Sequence, residues 1–439
     1  MDTYTLIIGI SGIVIISFFF NIIAKRTNIP SVLLLIALGV IIKQFVPDKF
    51  NADVYANLST LEIVGNVGLV MIVLEAALDL KLEREKRKLI INSFLVALIS
   101  LVATTLLLAC IIYYFVPNAN DFMKSVVYAV PLSIMSSAII IPSVGGLTGK
   151  KKEFMVYEST FSDILGIMVF YFLIGVEDGQ GGKEIALSIG LSILVTIVVS
   201  IVLAYLLVYI FQRLTSQVKL FLVIAILMLM YALGKKLHLS SLLIILAFGL
   251  VLNNASVFFR GKRLRNLINE EKVQPVLHDF HILTLESAFV IRTFFFVIFG
   301  MFITLEGIFN LTVALVSAGI IAALYIVRFL VLKLVERRDI VPQLYLAPRG
   351  LITILLFFVI SAHDEYVIKD FDPGILLFVI LISSLVMTWA LIRYRGEKVA
   401  DVLLSQLPSR KVDEDGDGIN DSTEENVESN VEKQDFNQF

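Results

Sequence analysis

Apolar runs of about 20 residues recur along nearly the whole of this chain, and each is long enough to span a bilayer as a helix. In lipid every backbone polar group needs an internal hydrogen-bond partner, so long apolar runs of this kind span the membrane as α-helices. Hydrophobic residues make up 58% of the chain and charged residues 17%, which excludes an ordinary soluble domain. The sequence therefore predicts an all-α polytopic membrane protein.

We predict about 13 transmembrane helices, of which the two short ones, the eighth and ninth, can also be read as one re-entrant hairpin. The predicted spans are residues 4–23, 31–46, 61–80, 89–115, 124–146, 155–176, 185–212, 220–234, 241–253, 282–303, 311–333, 343–362 and 374–392. Together they form a transmembrane domain over residues 1–395.

Two of these spans contain prolines in corresponding places. The fifth span includes the segment from Ser133 to Pro142, and the twelfth includes Leu346-Ala-Pro-Arg-Gly350. Proline interrupts a helix because it lacks the amide donor and its ring clashes with the preceding turn. Paired interruptions in two halves of a membrane chain are typical of transporters with two inverted repeats, in which the broken helices cross near the bilayer midplane.

The loop charges predict the orientation of the chain. Alternate loops contain most of the lysines and arginines, for example Lys150, Lys151 and Lys152, and the opposite loops contain few. The positive-inside rule then places the N-terminus outside and the C-terminus inside a plasma membrane, which in bacteria is the cell inner membrane. The net charge of -2 gives no basic surface that would indicate a nucleic-acid partner.

The sixth span carries the strongest candidate for an ion site, in Glu158-Ser-Thr-Phe-Ser-Asp163. Glu158, Ser159, Ser162 and Asp163 fall on one face of a helix. Carboxylates inside a membrane are costly and are candidates for ion or proton pathways. Asp163 can bind either a proton or a dehydrated cation, and that competition is enough to couple the movement of the two.

Two other buried groups are expected near this face. Arg328 lies in the middle of the eleventh span, where an unpaired charge is implausible, and Glu158 is its preferred partner. Arg349 lies at the interruption of the twelfth span and can compensate the partial charges of half-helix ends.

Hydroxyl groups add further candidates close to the fifth-span interruption. Ser136 and Ser137 offer hard oxygen ligands suited to Na+, Li+ or K+. Serine in a membrane helix also commonly bonds its own backbone, and that alternative stays open.

A third set of ionisable residues lies toward the predicted inner side. Glu75 and Asp79 are one helical turn apart at the end of the third span, where they can line an inner funnel. Arg292 has no evident partner, and we expect it to pack. His278 and His281 are expected to lie in a cytoplasmic loop.

Residues 396–439 form an acidic, polar tail that we expect to be disordered without a ligand. Its segment 413–424 matches the ligand pattern of an EF-hand loop and predicts a possible Ca2+ site. The ligand positions are occupied by Asp413, Asp415, Asp417, Asp421 and Glu424. Acidic tails also produce such patterns by chance, and the flanking helices are poor.

These motifs together resemble the monovalent cation/proton antiporter superfamily, especially its sodium/proton exchanger branch. Glu158-Ser-Thr-Phe-Ser-Asp163 is similar to the Glu-Ser-x-x-Asn-Asp motif of that branch, and Pro348-Arg349-Gly350 to its Arg-Gly motif. Arg328 matches the arginine that pairs with the motif glutamate, and Ala77-Leu-Asp79 resembles a Gly-Leu-Glu element. The resemblance implies a homodimer with a moving core that holds helices four to six and eleven to thirteen.

The chain also departs from the family pattern. Ser162 replaces the asparagine before the aspartate, and Ser137-Ala138 replaces a Thr-Asp pair, so Met135-Ser-Ser-Ala138 looks more like the potassium-efflux branch. The resemblance therefore leaves Na+ and K+ both open as substrates. If Arg328 holds Glu158, one carboxylate serves each cycle, and exchange is electroneutral.

The leading hypothesis is thus secondary antiport of protons against Na+ or K+ by alternating access, with no cofactor. A cation channel and a Na+-coupled symporter of an organic solute are the alternatives. The sequence shows no repeated carbonyl filter motif, which a channel would favour. It also shows no obvious pocket for an organic solute, which a symporter would need. The sequence contains no nucleotide-binding motif and no evident catalytic triad, so we do not expect an enzyme.

Overall fold

A computed structural model gives the placement of most of the chain. It describes residues 3–27, 30–45, 58–83, 85–119, 121–147, 149–174, 195, 198–199, 201–203, 205–206, 219–236, 241–258, 270–302, 310–336, 340–361, 363, 365–369 and 371–406. Most of the predicted seventh span and the whole of the predicted Ca2+ loop lie outside these residues, so both stay predictions.

The described residues form helices and no strands, which confirms the predicted all-α class. Helices of the first part of the chain are α1 (Thr3–Thr27), α2 (Ser31–Phe45), α3 (Leu58–Asp79), α4 (Arg87–Phe115), α5 (Phe122–Ser133), α6 (Ser137–Ser143) and α7 (Gly149–Ile174). Those of the second part are α8 (Lys219–Lys236), α9 (Ser241–Asn253), α10 (Ala255–Phe258), α11 (Glu270–Phe302), α12 (Leu311–Val335), α13 (Leu351–Ser361) and α14 (Gly374–Gln406).

Seven stretches of the described chain are long and apolar enough to cross a membrane, judged by length and composition. They are Ile7–Ala24, Arg87–Phe115, Phe122–Gly146, Gly149–Ile174, Leu277–Met301, Leu311–Val335 and Gly374–Tyr394. Shorter apolar helices, such as Leu351–Ser361, accompany them. The predicted eighth and ninth spans form two separate helices, α8 and α9.

The first interruption lies within the predicted segment Ser133–Pro142, but not at a proline. Pro131 and Pro142 are both inside helices, and the break is the extended segment of residues 134–136 between α5 and α6. The amides of this segment have partners elsewhere in the chain: Met135 N donates to Ser162 Oγ at 2.9 Å, and Ser136 N donates to Pro348 O at 2.9 Å. Long-range hydrogen bonds therefore specify the position of the break.

The second interruption is longer than expected. The 3-10 turn Gln343–Tyr345 precedes it. Residues 346–350 are non-helical, and α13 begins at Leu351. Pro342 and Pro348 bracket this stretch, and a residue before proline is disfavoured in helical geometry. The predicted twelfth span is thus helical only in its second half.

Two other predicted ends are wrong by several residues. Helix α11 begins at Glu270, well before the predicted start at residue 282, so His278 and His281 lie on a helix and not in a loop. Helix α14 continues to Gln406, beyond the predicted end at residue 392.

By compactness the chain divides into residues 1–394 and residues 395–439. Within the larger unit the helices pack into two groups. The first group contains α4, α5, α6, α7, α12 and α13, and the second contains α1, α2, α3, α8, α9 and α11. Contacts within each group are extensive, and those between the groups, mainly of α3, α9 and α11 with α7 and α13, are sparser.

A glycine contact holds α2 against α11 in the second group. A Cβ atom added to Gly300 would collide with the Ile36 carbonyl oxygen and lie 3.0 Å from the Gly39 Cα atom. An added Cβ on Gly39 would in turn meet Val297 O, and Gly300 Cα at 2.8 Å. Small residues at such crossings let membrane helices approach closely, which strengthens their packing.

Gly300→Ala should therefore destabilise the protein by about 1–3 kcal/mol, the usual range for overpacking. The matched control is Gly319→Ala, because a Cβ at Gly319 of α12 meets no described atom within 4 Å. The control should be neutral or gain up to about 1 kcal/mol from helix propensity. Thermal unfolding of the purified protein in detergent measures both, and equal midpoints for the two variants would contradict the predicted contact.

Candidate ion-binding site at the helix breaks

The two breaks lie against each other. Besides the bond from Ser136 N to Pro348 O, the side chain of Ser136 packs on Gly350. A Cβ atom at Gly350 would lie 2.7 Å from Ser136 Oγ and 2.7 Å from the Cδ1 atom of Ile139. A side chain at this position would displace Ser136 and Ile139, so glycine permits the close approach of the two breaks.

Asp163 on α7 faces the first break. Its side chain is buried, and its Oδ2 atom accepts a hydrogen bond from Ser137 N at 3.0 Å. That amide is one of the donors left without a partner at the start of α6. The other carboxylate oxygen, Oδ1, has no hydrogen-bond partner among the described residues. Asp163 thus keeps one oxygen available for a proton or a cation.

Arg349 satisfies the opposite kind of group at the crossing. Its guanidinium donates to Leu132 O at 2.9 Å and to Ser133 O at 3.3 Å, which are carbonyls at the end of α5. It also donates to Ala347 O, and its own amide donates to Ser383 Oγ at 3.0 Å. A cation at a helix C-terminus is favourable because the unpaired carbonyls carry partial negative charge. Asp163 and Arg349 together neutralise the two half-helix ends of the first break.

A cavity adjoins Asp163 where the two helix groups meet. Asp163 is the ionisable residue in its described lining. The other lining residues are apolar: Ile72, Val73 and Ala76 of α3, Ile164, Ile167 and Met168 of α7, Leu242 and Leu246 of α9, and Ile352 of α13. Both helix groups therefore contribute to the space beside the carboxylate.

Glu158 lies on α7, about one and a half helical turns before Asp163, and Arg328 binds its carboxylate. Arg328 donates from Nη1 to Glu158 Oε1 at 2.6 Å and from Nη2 to Oε2 at 3.1 Å. It also donates to Gln343 O at 2.9 Å and 2.7 Å. Both side chains are buried, so this bidentate pair occupies both carboxylate oxygens of Glu158. The pair joins α7 to α12 and to the turn before the second break.

The four candidate serines have different surroundings. Ser159 Oγ donates to Val156 O at 3.2 Å on its own helix, and Ser162 Oγ accepts from Met135 N and so positions the first break. Ser137 contributes the backbone amide that binds Asp163. Ser136 Oγ is buried and has no partner in the described part of the chain. Ser136 therefore offers a buried hydroxyl that no described group uses.

Two further side-chain contacts join α3 to α11. Arg292 Nη2 lies 3.0 Å from Glu75 Oε1, so the expectation that Arg292 has no partner is wrong. His281 Nε2 lies 2.8 Å from Asp79 Oδ1. The inner funnel stays a prediction.

Sequence reasoning missed the hydroxyl groups that follow the second break. Ser383 accepts from the amide of Arg349, and Thr353 has a buried Oγ1 atom without a partner in the described chain. The available signal was the position of Thr353 three residues after Gly350 in an otherwise apolar helix. No cluster of three or more potential metal-ligating side chains exists among the described residues.

Comparison with known proteins gives a family and a fold. The family model for the transmembrane sodium/hydrogen exchanger matches residues 13–393. The structure of the sodium proton antiporter MjNhaP1 from Methanocaldococcus jannaschii at pH 8 is similar with a TM-score of 0.66 and 19% identity, covering 93% of this chain and 99% of that one. An electron-microscopy map of the same antiporter is similar with a TM-score of 0.63 and 20% identity, and the match covers 94% of this chain and 100% of that one. A search of curated proteins finds no significant match.

Arg328→Met should lower the stability by about 3–5 kcal/mol, because it leaves the buried carboxylate of Glu158 without its counter-charge. The double variant Glu158→Gln with Arg328→Met should recover much of this loss, because no unpaired charge remains. Thermal unfolding of the purified protein in detergent checks both. An additive loss in the double variant would contradict the assignment of the pair as one interaction.

Proposed function

This chain belongs to the sodium/hydrogen exchanger family, and we propose that its exchange of sodium ions for protons takes place at Asp163. Membership makes the chain a multi-pass membrane transporter and not an enzyme. The observation that carries the proposal is the buried Oδ1 atom of Asp163, which has no described partner. Asp163 also lines the cavity between the two helix groups. A buried carboxylate oxygen without a partner needs a proton or a cation to satisfy it.

Competition at one carboxylate couples the two fluxes. When Asp163 is protonated it carries no charge, so a cation at the site has no counter-charge. When a cation is bound, the carboxylate has already lost its proton. The carboxylate crosses the membrane barrier in either neutralised form far more readily than as a bare charge, because an isolated charge in a low-dielectric medium is costly. Each ion therefore moves only in exchange for the other.

The arrangement of the helices supports alternating access. The first helix group contains both breaks and Asp163, while the second group supplies α3 and α9 on the far side of the cavity. Contacts between the groups are sparser than those within them. Movement of the first group against the second would expose Asp163 to one side of the membrane and then to the other.

The Glu158–Arg328 pair supports electroneutral exchange. Because Arg328 occupies both oxygens of Glu158, Asp163 remains as the carboxylate with an unoccupied oxygen at the crossing in the described chain. One carboxylate binds one proton or one monovalent cation, so equal charge moves in each direction.

Other features of the proposal rest on the sequence and the family resemblance. They are an outside N-terminus, an inside C-terminus, a plasma-membrane location, transport of K+ as an alternative cation, and a homodimer. Helix α1 is mostly exposed, with large apolar side chains such as Ile8 and Phe18 on its surface, so it needs lipid or a second copy around it.

Asp163→Asn should abolish exchange, because the amide can neither bind a proton reversibly nor neutralise a cation. The measurement is dissipation of a pH gradient in proteoliposomes on addition of Na+, Li+ or K+, and the ion that wild type responds to is the substrate. Glu336→Gln, at the end of α12 and outside the site, is the matched control and should behave like wild type. A wild type that is silent to all three ions across a pH series would refute the function.

Electroneutral exchange should not respond to membrane voltage. If the preceding experiment identifies Na+ and not K+ as the substrate, a potassium–valinomycin potential in proteoliposomes with equal pH and equal Na+ on both sides should produce no proton movement and no Na+ uptake. If K+ is the substrate, the potential is set with a permeant ion other than K+. Uptake driven by voltage alone would show that the charges moved are unequal, and the assignment of a single carboxylate per cycle would then fail. An imposed pH gradient at zero voltage is the positive control.

A further inference from the structure

Thr353 carries a buried hydroxyl group that the exchange mechanism above does not use. The residue lies in the first turn of α13, three positions after Gly350, and is 1% exposed. Its Oγ1 atom has no hydrogen-bond partner among the described residues. Buried polar atoms in folded proteins are nearly always paired, so an orphan of this kind calls for a water, an ion or another ligand.

The usual solution for a hydroxyl in a membrane helix is absent at this position. Elsewhere in the chain buried hydroxyls donate to the carbonyl four residues back, as Ser133 does to Ala129, Thr284 to Phe280 and Thr388 to Ser384. The residue four back from Thr353 is Arg349, which lies in the second break and not in a helix. The break therefore frees this hydroxyl from the backbone bond that such residues ordinarily make.

The direction of the side chain brings Thr353 toward the crossing. In a helix the Cα–Cβ bond tilts toward the N-terminus, so Thr353 leans toward Gly350. Ser136 packs on Gly350 from the first break, with its Oγ atom 2.7 Å from the position that a Cβ would take. Residues three positions apart share a helix face, so Thr353 lies on the same side of α13 as Gly350. That is the side that meets Ser136 at the crossing.

We propose that Thr353 is a cation ligand contributed by the second break, which completes a site with Asp163 and Ser136. This inference rests on the proposed function of Asp163. Each of the three residues has a buried oxygen without a described partner: Asp163 Oδ1, Ser136 Oγ and Thr353 Oγ1. Carboxylate and hydroxyl oxygens are hard ligands of the kind that a small alkali cation takes in exchange for water.

The proposal assigns Thr353 to cation binding and not to proton binding. A proton needs only the carboxylate of Asp163, whereas a dehydrated cation needs several oxygens around it. The cation would then be held by both breaks at once, and the proton by the first break alone. Thr353 therefore sets the affinity for the cation and leaves the proton-carrying half of the cycle unaffected.

The test is Thr353→Val, which replaces the hydroxyl by a methyl group of similar size. In the proteoliposome assay it should raise the apparent KM for Na+ by about tenfold or more, as expected for the loss of one polar contact to a charged group. The maximal rate at saturating Na+ should stay close to wild type. Thr353→Ser, which keeps the hydroxyl, should keep the wild-type KM. If the preceding experiments identify K+ or Li+ as the substrate, that ion replaces Na+ in the titration.

Thr105→Val on α4 is the matched control. Thr105 is also a buried threonine whose Oγ1 atom has no partner in the described chain, but it is not at the crossing. The control should keep the wild-type KM. An unchanged KM in Thr353→Val would overturn the proposal, and so would a lower maximal rate with an unchanged KM, since that result indicates a structural role. A wild type without any cation response refutes the proposed function itself.

A binding measurement keeps the proposal testable if Thr353→Val is not recovered as a folded protein. A ligand that binds only the folded state raises the unfolding midpoint. Na+ should therefore raise the midpoint of wild type and of Thr353→Ser in detergent, and raise that of Thr353→Ala much less at the same concentration. An equal rise in all three proteins would overturn the assignment of Thr353 as a ligand.

Discussion

The hydrogen bonds that satisfy the two breaks are the interaction on which the rest of this structure depends. In lipid, irregular backbone is tolerated only where other protein groups take over the freed donors and acceptors. Here the amides of Met135, Ser136 and Ser137 donate to Ser162, Pro348 and Asp163. Because Ser162 and Asp163 lie on the same helix, α7 must sit against the first break. The carboxylate of Asp163, which we propose as the ion-binding group, is thus also a structural partner of the backbone beside it.

This double role explains why Asp163 is only half satisfied. One of its oxygens accepts the amide of Ser137, which fixes the carboxylate in place, and the other has no partner in the described chain. The guanidinium of Arg349 donates its described hydrogen bonds to backbone oxygens, two of which lie at the end of α5. Arg349 can therefore neutralise the helix end without forming a salt bridge that would occupy Asp163.

The sequence predicts the helices of this fold better than it predicts the breaks. The ends of α4 and α12 are close to the predicted ones because bilayer thickness and apolar composition determine them locally. The resemblance to the sodium/proton exchanger branch is confirmed by the family match. The first break lies within the predicted segment, but its residues are specified by partners on α7 and in the second break, and not by the prolines inside α5 and α6. Local sequence does not encode such partners.

The charged pairs likewise join residues that are far apart in the sequence, which local patterns do not predict. Glu75 and Arg292 are 217 residues apart, so no local pattern could have joined them. Glu158 and Arg328 are 170 residues apart, and that pair was reached only because an unpaired arginine in mid-membrane is implausible. Each pair costs desolvation that an apolar pair would avoid. In each of the two pairs the carboxylate already has its counter-charge. Of these three acids, Asp163 is therefore the one that the proposed mechanism leaves to the transported ions.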